Sequence, residues 1–173
     1  MTTRETVYQA LFALLTPLRA PGAVDGPPDG NPNSSGVSAA AGAPTAQKPF
    51  NLVSREVIEV QRVPPLLQPV LFMDEAMEDY PNDGAGLLHN RWTVYFHVGC
   101  TSARGTAAAT ILNPLLDVLE AALAPTGNPL GLGDLVTTAQ LSGLSAKNLG
   151  NNSLIPDQRQ AVAYVPFQIN FAP

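Results

Sequence analysis

The stretch Arg-Trp-Thr-Val-Tyr-Phe-His-Val-Gly-Cys, residues 91–100, alternates large apolar side chains with polar or small ones. Successive side chains of a β-strand point to opposite faces of the sheet, so residues of one parity share a face. One face would carry Trp92, Val94, Phe96, Val98 and Cys100, and the other would carry Thr93, Tyr95, His97 and Gly99. The stretch therefore predicts a strand with one buried face and a second, more polar face that is free to meet a neighbour.

His97 is one of two histidines and lies three residues before the only cysteine, Cys100. Strand alternation sends these two side chains to opposite faces. This excludes a Cys-His pair or a shared metal ion unless a bulge at Gly99 changes the parity of Cys100. We expect Cys100 to be an inert buried thiol and His97 to be a hydrogen-bonded histidine at the surface or an interface. His89 has no second ligand within a few residues, so no zinc site is predicted.

The closing stretch, residues 161–171, has the sharpest strand alternation in the chain. Its apolar parity consists of Ala163, Val165, Phe167, Ile169 and Phe171. Pro166 removes one donor from the ladder, so we expect this strand at a sheet edge or with a bulge at the proline. Further strands are predicted at 50–55, 69–73 and 134–142.

Apolar residues at helical spacing predict two helices. The first covers about 3–16, where a capping box precedes the apolar stripe and Pro17 limits the helix. The second ends at Leu123 and begins either just before Pro114 or near residue 106, with a kink at the proline; we favour the longer helix. The order of helix, strands, helix and strands predicts an α+β domain, with a mainly antiparallel β-sheet and two α-helices packed on one face.

Residues 19–47 are rich in Pro, Gly and Ala. Such a segment cannot bury enough apolar surface to offset the entropy of ordering it. We therefore predict a flexible loop at 19–47 within a single domain spanning 1–173, a length that suits one domain with its own core. The loop is either a tolerated surface insertion or a segment that becomes ordered against a partner.

Five carboxylates follow the predicted 69–73 strand within ten residues, namely Asp74, Glu75, Glu78, Asp79 and Asp83. The segment ends in Tyr-Pro-Asn-Asp-Gly, which is typical of a turn. The spacing of the carboxylates does not match an EF-hand loop. Clustered carboxylates could instead hold Ca²⁺ or Mg²⁺. We interpret the segment as a solvated hairpin loop and predict no metal ligand there.

The composition restricts the classes of function. Charged residues make up only 13% of the chain and its net charge is −5. No run of Lys or Arg could neutralise phosphates, so specific nucleic-acid binding is not expected. Neither a signal peptide nor a membrane-length apolar run occurs, so no membrane association is expected. A single cysteine cannot form an internal disulfide, which favours folding in a cytoplasm.

The chain carries none of the common catalytic motifs: no Gly-x-Ser-x-Gly elbow, no Gly-x-x-x-x-Gly-Lys phosphate loop and no Gly-x-Gly-x-x-Gly turn. A triad built from distant residues, such as Ser142, His89 and an aspartate, stays open. We predict no catalytic, cofactor-binding or metal-binding residues and no cofactor, and we expect a protein that is not an enzyme.

Several segments together resemble the tail terminator, or tail completion, proteins of long-tailed bacteriophages. These segments are Thr-Arg-Glu-Thr-Val-Tyr-Gln-Ala-Leu-Phe-Ala-Leu-Leu (3–15), Phe-Asn-Leu-Val-Ser-Arg (50–55), Gln-Pro-Val-Leu-Phe (68–72) with the acidic residues after it, Leu-Asn-Pro-Leu-Leu-Asp-Val-Leu-Glu-Ala-Ala-Leu (112–123), Leu-Gly-Asp-Leu-Val (132–136) and Ala-Val-Ala-Tyr-Val-Pro-Phe-Gln-Ile (161–169). Their order and spacing cover most of the chain outside 19–47.

The resemblance implies a virion structural protein that assembles in the host cytoplasm as a ring with itself, with a hexamer expected. Such a ring caps the tail tube protein, stops tail polymerisation and gives the head-tail connector, or neck protein, a docking surface. DNA would pass through it without specific binding. The 19–47 loop would lie at an interface end of the ring and become ordered on assembly.

Two alternatives stay open. The first is another neck, head-completion or minor tail protein, which the sequence separates poorly from a terminator. The second is a small cytoplasmic enzyme or ligand-binding domain. That alternative predicts a monomer or dimer with a pocket near His97 and the acidic residues, whereas the ring predicts no pocket of note.

Overall fold

The computed structural model describes residues 3–25, 46–79, 91–102, 107–124, 136–141 and 160–171. Its helices are α1 (Thr3–Leu15) and α2 (Ala108–Ala122). Its strands are β1 (Arg19–Asp25), β2 (Phe50–Ser54), β3 (Val70–Asp79), β4 (Arg91–Thr101), β5 (Val136–Leu141) and β6 (Gln160–Phe171). Short 3-10 turns cover Thr16–Leu18, Val60–Arg62 and Pro65–Leu67.

The six strands form one sheet in the order β1-β2-β3-β4-β6-β5. Strands β1, β2 and β3 pair in parallel, and the remaining three pairs, β3 with β4, β4 with β6 and β6 with β5, are antiparallel. The predicted α+β class with a mainly antiparallel sheet is therefore confirmed. The parallel pairs at one end of the sheet were not predicted.

Both helices pack on the same face of the sheet, as predicted. The shared core contains Leu11 of α1, Leu112 and Leu119 of α2, and Phe96 and Phe167 of the central strands. Each of these side chains is at most 1% exposed, and burying a side chain of this size stabilises a protein by about 1.5–3 kcal/mol. We call this side of the sheet the helix face.

The opposite side of the sheet carries a smaller apolar cluster at the β2–β3 end. Leu52, Val70 and Phe72 pack there under Val60, Val63 and Leu67, which belong to or adjoin the two 3-10 turns. Gly99 of β4 permits this contact, because a methyl group at that position would overlap the Val60 side chain. We call this side of the sheet the second face.

Helix α2 begins at Ala108 and runs through Pro114, so the longer of the two predicted helices is confirmed. The Thr110 hydroxyl donates to the carbonyl of Ala107 at 2.6 Å, just before the helix starts. Because proline has no N–H, the helical bond that residue 114 would donate to the Thr110 carbonyl is not made. Burial of the leucine stripe on the helix face compensates for this loss.

The first part of the loop predicted at 19–47 is instead strand β1, which pairs in parallel with β2 with a register shift. Pairing through backbone groups requires little apolar side-chain surface. A strand at the end of a sheet also tolerates proline and glycine, especially beside an irregularity. Residues 26–45 of the predicted loop lie outside the described residues.

The acidic segment is also not the solvated loop that we predicted, since β3 continues to Asp79 and pairs with β4 down to Arg91. The register shifts between Asp74 and Met77, so the pairing tolerates an irregularity in the middle of the acidic residues. The backbone ladder with β4 outweighs the low strand propensity of Asp and Glu. The predicted turn and Asp83 lie outside the described residues.

Pro166 lies neither at the sheet edge nor at a bulge, so that prediction was wrong. Strand β6 lies between β4 and β5, and its eleven pairs with β4 run without a register shift through Tyr95 opposite Pro166. Among the residues that the structure describes, the ladder between β5 and β6 covers Phe167 to Phe171. Pro166 therefore lies one residue outside the described pairs of β5 with β6.

Candidate functional site

His97 lies on the second face beside an aspartate. In the β3–β4 register Phe72 is opposite His97 and Asp74 is opposite Tyr95, which makes Asp74 a diagonal neighbour of His97. The His97 Nε2 and Asp74 Oδ2 atoms are 3.3 Å apart. The other ring contact is with Tyr164 of β6, edge to face, with the ring centroids 4.7 Å apart.

Burial lowers the pKa of His97 below its ordinary value, because the half-buried imidazolium loses hydration, and the nearby Asp74 carboxylate opposes this shift only in part. The imidazole is therefore mainly neutral near pH 7. The expectation that His97 is a hydrogen-bonded histidine is confirmed, whereas its partner could not be identified from the sequence. The register of β3 against β4, which brings Asp74 close to His97, could not be predicted from the spacing of residues within either strand.

Cys100 lies on the helix face, opposite to His97, as strand alternation predicts. The pairing of β4 with β6 is regular through Gly99 and Cys100, so no bulge changes the parity. The thiol is fully buried and contacts the Ala108 carbonyl with a sulfur-to-oxygen distance of 3.6 Å. Burial raises its pKa to about 11, which leaves it protonated and unreactive at neutral pH.

Ser54 of β2 is too far from His97 to form a catalytic Ser-His-Asp triad with His97 and Asp74. Ser54 is opposite Phe72, and Phe72 is opposite His97, so one strand separates the hydroxyl from the imidazole. Two strand spacings place them roughly 10 Å apart. Ser54 is buried, and its oxygen accepts the backbone N–H of Glu56 at 3.0 Å. Ser142 and His89, which the sequence left open for a distant triad, lie outside the described residues.

A cavity of about 360 Å³ opens where β2 ends, and its lining consists of Tyr8, Arg55, Glu56, Met73 and Asp74. The guanidinium of Arg55 donates to both carboxylate oxygens of Glu5, at 2.7 and 3.1 Å, and lies 5.5 Å from the centre of the Tyr8 ring. The hydrogen bond from Arg55 lowers the pKa of Glu5. The Arg55 guanidinium is therefore bound to a residue of α1. The same cavity is also lined by two further acidic residues, Glu56 and Asp74.

The rest of the second face consists mainly of neutral polar and aromatic side chains. Tyr164 is 42% exposed, and Tyr95, Gln168 and Asn170 are half-buried. The Asn170 amide donates to the Thr138 hydroxyl across the β5–β6 pair at 2.6 Å. Tyrosine and other uncharged polar groups are common in surfaces that contact another protein.

Within the described ranges, no group of three or more His, Cys, Asp or Glu residues has an arrangement that could hold a metal ion. None of the described helices is long and apolar enough to cross a membrane. Comparisons of the chain with known protein families and with curated proteins find no match.

Proposed function

We propose that the protein is a structural subunit of a phage virion, which forms a ring, expected to be a hexamer, on the end of the tail tube. The ring terminates tail polymerisation and presents the surface to which the head connector docks. The proposal rests on the resemblance of six segments to tail terminator proteins. These segments include the helix that becomes α1, the leucine-rich helix α2 and the closing strand β6.

The structural observation that supports this proposal best is the contrast between the two faces of the sheet. The helix face is covered by α1 and α2, whereas the second face presents Tyr164, Tyr95 and Gln168 partly to solvent. A mainly neutral surface of this kind suits a ring subunit, because charges there would have to be desolvated on assembly.

The test is native mass spectrometry of the purified protein and of two variants that add the same charge at different places. Tyr164→Arg introduces a cation on the second face. Ala121→Arg introduces one on the exposed side of α2, where residue 121 is exposed. We expect the unmodified protein and Ala121→Arg to form the ring and Tyr164→Arg to be a monomer. Equal assembly of all three would contradict this use of the second face.

A second candidate, a small ligand-binding domain or enzyme, is favoured by one observation. The cavity beside Asp74 adjoins the His97–Asp74 contact, whereas the ring alone predicts no pocket of note. An Asp-His contact can orient an imidazole for acid-base chemistry. A screen of His97→Gln against the unmodified protein for loss of small-molecule binding tests this candidate. A binder that needs His97, together with a monomeric mass, would favour it over the ring.

A further inference from the structure

Leu66 has the most exposed large apolar side chain among the described residues. It lies in the 3-10 turn Pro65–Leu67 and is 85% exposed, and Pro64 and Pro65 directly before it are exposed as well. The next residue, Leu67, is buried in the apolar cluster of the second face. Single exposed apolar side chains are common on soluble proteins. The rigidity and the position of Leu66 therefore decide whether it has a role.

Hydrogen bonds hold this turn in one position on the sheet. The Gln68 side chain is buried, and its amide donates to the carbonyl of Val63 at 3.0 Å. Its Oε1 accepts the hydroxyl of Thr101 at the end of β4. The Asn51 amide of β2 donates to the Gln68 carbonyl at 2.6 Å. The backbone beside Leu66 is thus fixed to two strands, so a contact made through Leu66 requires little further ordering of the chain.

The turn adjoins the part of the second face that carries Tyr164. Val162 precedes Tyr164 by two positions and so lies on the same face of β6, and it packs against the apolar cluster beneath the turns. In the described ranges, the exposed large apolar or aromatic side chains are Leu14, Val57, Leu66 and Tyr164. The two most exposed of these, Leu66 and Tyr164, therefore belong to one continuous surface.

The absence of charge around Leu66 favours a second copy of this chain as the partner. No charged residue occurs between positions 63 and 73. The nearest charges along the chain before this stretch, on Arg62 and Glu59, form an ion pair at 3.0 Å. Two copies with a net charge of −5 repel each other overall, so a contact between them is best placed where neither copy carries charge. A partner selected by opposite charge would find no group to pair with in this stretch.

We propose that Leu66 is the apolar anchor of the contact between neighbouring subunits of the ring. Its side chain is buried against apolar surface of the next copy, while Tyr164 and the polar groups around it form the rim of the contact. An apolar centre with a polar rim is the usual arrangement of a protein interface. The inference rests on the proposed function, because it requires subunits that assemble.

The first test measures the subunit concentration at which half of the protein is in the ring, by native mass spectrometry over a dilution series. Leu66→Ala should raise this concentration at least about tenfold. Leu66→Met keeps the apolar bulk and should change it by less than about threefold. Leu14→Ala truncates an exposed leucine of α1 and is the matched control, with no change expected. Because Leu66 is so exposed, Leu66→Ala should keep the urea midpoint of the unmodified protein, which separates lost assembly from lost folding.

If the ring forms only on tail tubes that lack the terminator, the same variants are compared by the amount that sediments with the tubes. Leu66→Ala should then need at least about tenfold more protein for half-saturation. Leu66→Met and Leu14→Ala should saturate like the unmodified protein.

The second test identifies what contacts position 66. Cys100 is buried and its pKa is raised to about 11, so Leu66→Cys introduces a thiol that a maleimide-linked benzophenone can label selectively. Irradiation of the assembled, labelled variant should join copies of this chain into products of more than two subunits, because a head-to-tail contact repeats around a ring. The unmodified protein, treated in the same way, is the unlabelled control.

Three results would overturn this inference and leave the proposed function standing. The first is a ring that Leu66→Ala forms as readily as the unmodified protein. The second is equal weakening by Leu66→Ala and Leu14→Ala. The third is cross-linking of position 66 to the tail tube protein and not to another copy. A monomeric unmodified protein, both in solution and on the tubes, would overturn the inference and the proposed function together.

Discussion

The two faces of the sheet are made by the same strands, yet they differ in what covers them. On β4, Phe96 is fully buried under the helices, whereas its neighbours Tyr95 and His97 are only half-buried on the second face. The helix face holds apolar side chains from both helices and the central strands. In the described part of the chain, the second face has its apolar cluster at the β2–β3 end and mainly polar side chains elsewhere. We therefore expect the helix face to contribute most of the stability, and the second face to contact another subunit.

The largest difference in the free energy of unfolding is expected between alanine variants of two adjacent residues of β4. Phe96→Ala leaves a cavity in the helix-face core and should lower the free energy of unfolding by about 3–5 kcal/mol. Tyr95→Ala, on the second face, should cost only about 1 kcal/mol. Urea unfolding of both variants checks this prediction, and equal losses would contradict the difference between the faces.

The next largest effect is expected where the second face does have a tight apolar contact. Gly99→Ala introduces a methyl group that overlaps Val60 and should lower the free energy of unfolding by about 1–3 kcal/mol. Adding Val60→Ala makes room for that methyl group, so the double variant should lose less than the sum of the two single losses. Additive losses would show that Val60 does not limit the space at position 99.

A smaller, pH-dependent effect is expected at His97. Because its pKa is lowered by folding, the unfolded state binds a proton more readily, so His97 reduces stability as the pH falls below its ordinary value of 6.5. Asp74→Asn removes the carboxylate that opposes this shift. The variant should have a still lower His97 pKa in an NMR titration and a greater stability loss between pH 8 and pH 5, with a cost at pH 7 below about 1 kcal/mol. A His97 pKa that rises in the variant would contradict the assigned role of Asp74.

The smallest effect on stability is expected for Gln168, a half-buried polar residue of the second face. Gln168→Ala should change the free energy of unfolding by no more than about 0.5 kcal/mol. Its helix-face neighbour Phe167 is 1% exposed, and Phe167→Ala serves as the matched control with a loss of about 3–5 kcal/mol. Urea unfolding of the pair repeats the comparison of faces on a second strand, β6.

The features that could be predicted from the sequence are those that depend on local periodicity. The alternation in 91–100 and 161–171 correctly assigned each side chain to its face, and helix α2 began before Pro114 as expected. The opposite placement of His97 and Cys100 followed from the same rule. Fold class followed from the order of these elements.

The features that could not be predicted depend on pairing between distant segments. Strand β1 has a composition typical of a loop, and the acidic half of β3 has low strand propensity; both are strands because β2 and β4 pair with them. The His97–Asp74 contact and the cavity beside Arg55 depend on the same registers. The register of one strand against another is determined by backbone hydrogen bonds between distant segments, so it could not be predicted from the local sequence of either strand.

The most direct test of the central claim, that the second face meets another subunit in a ring, is the native mass of the protein. It would be measured alone over a range of concentrations and again after incubation with phage tail tubes that lack the terminator. The account predicts a species of six subunits, either in solution or on the tubes. A monomer under both conditions would contradict it.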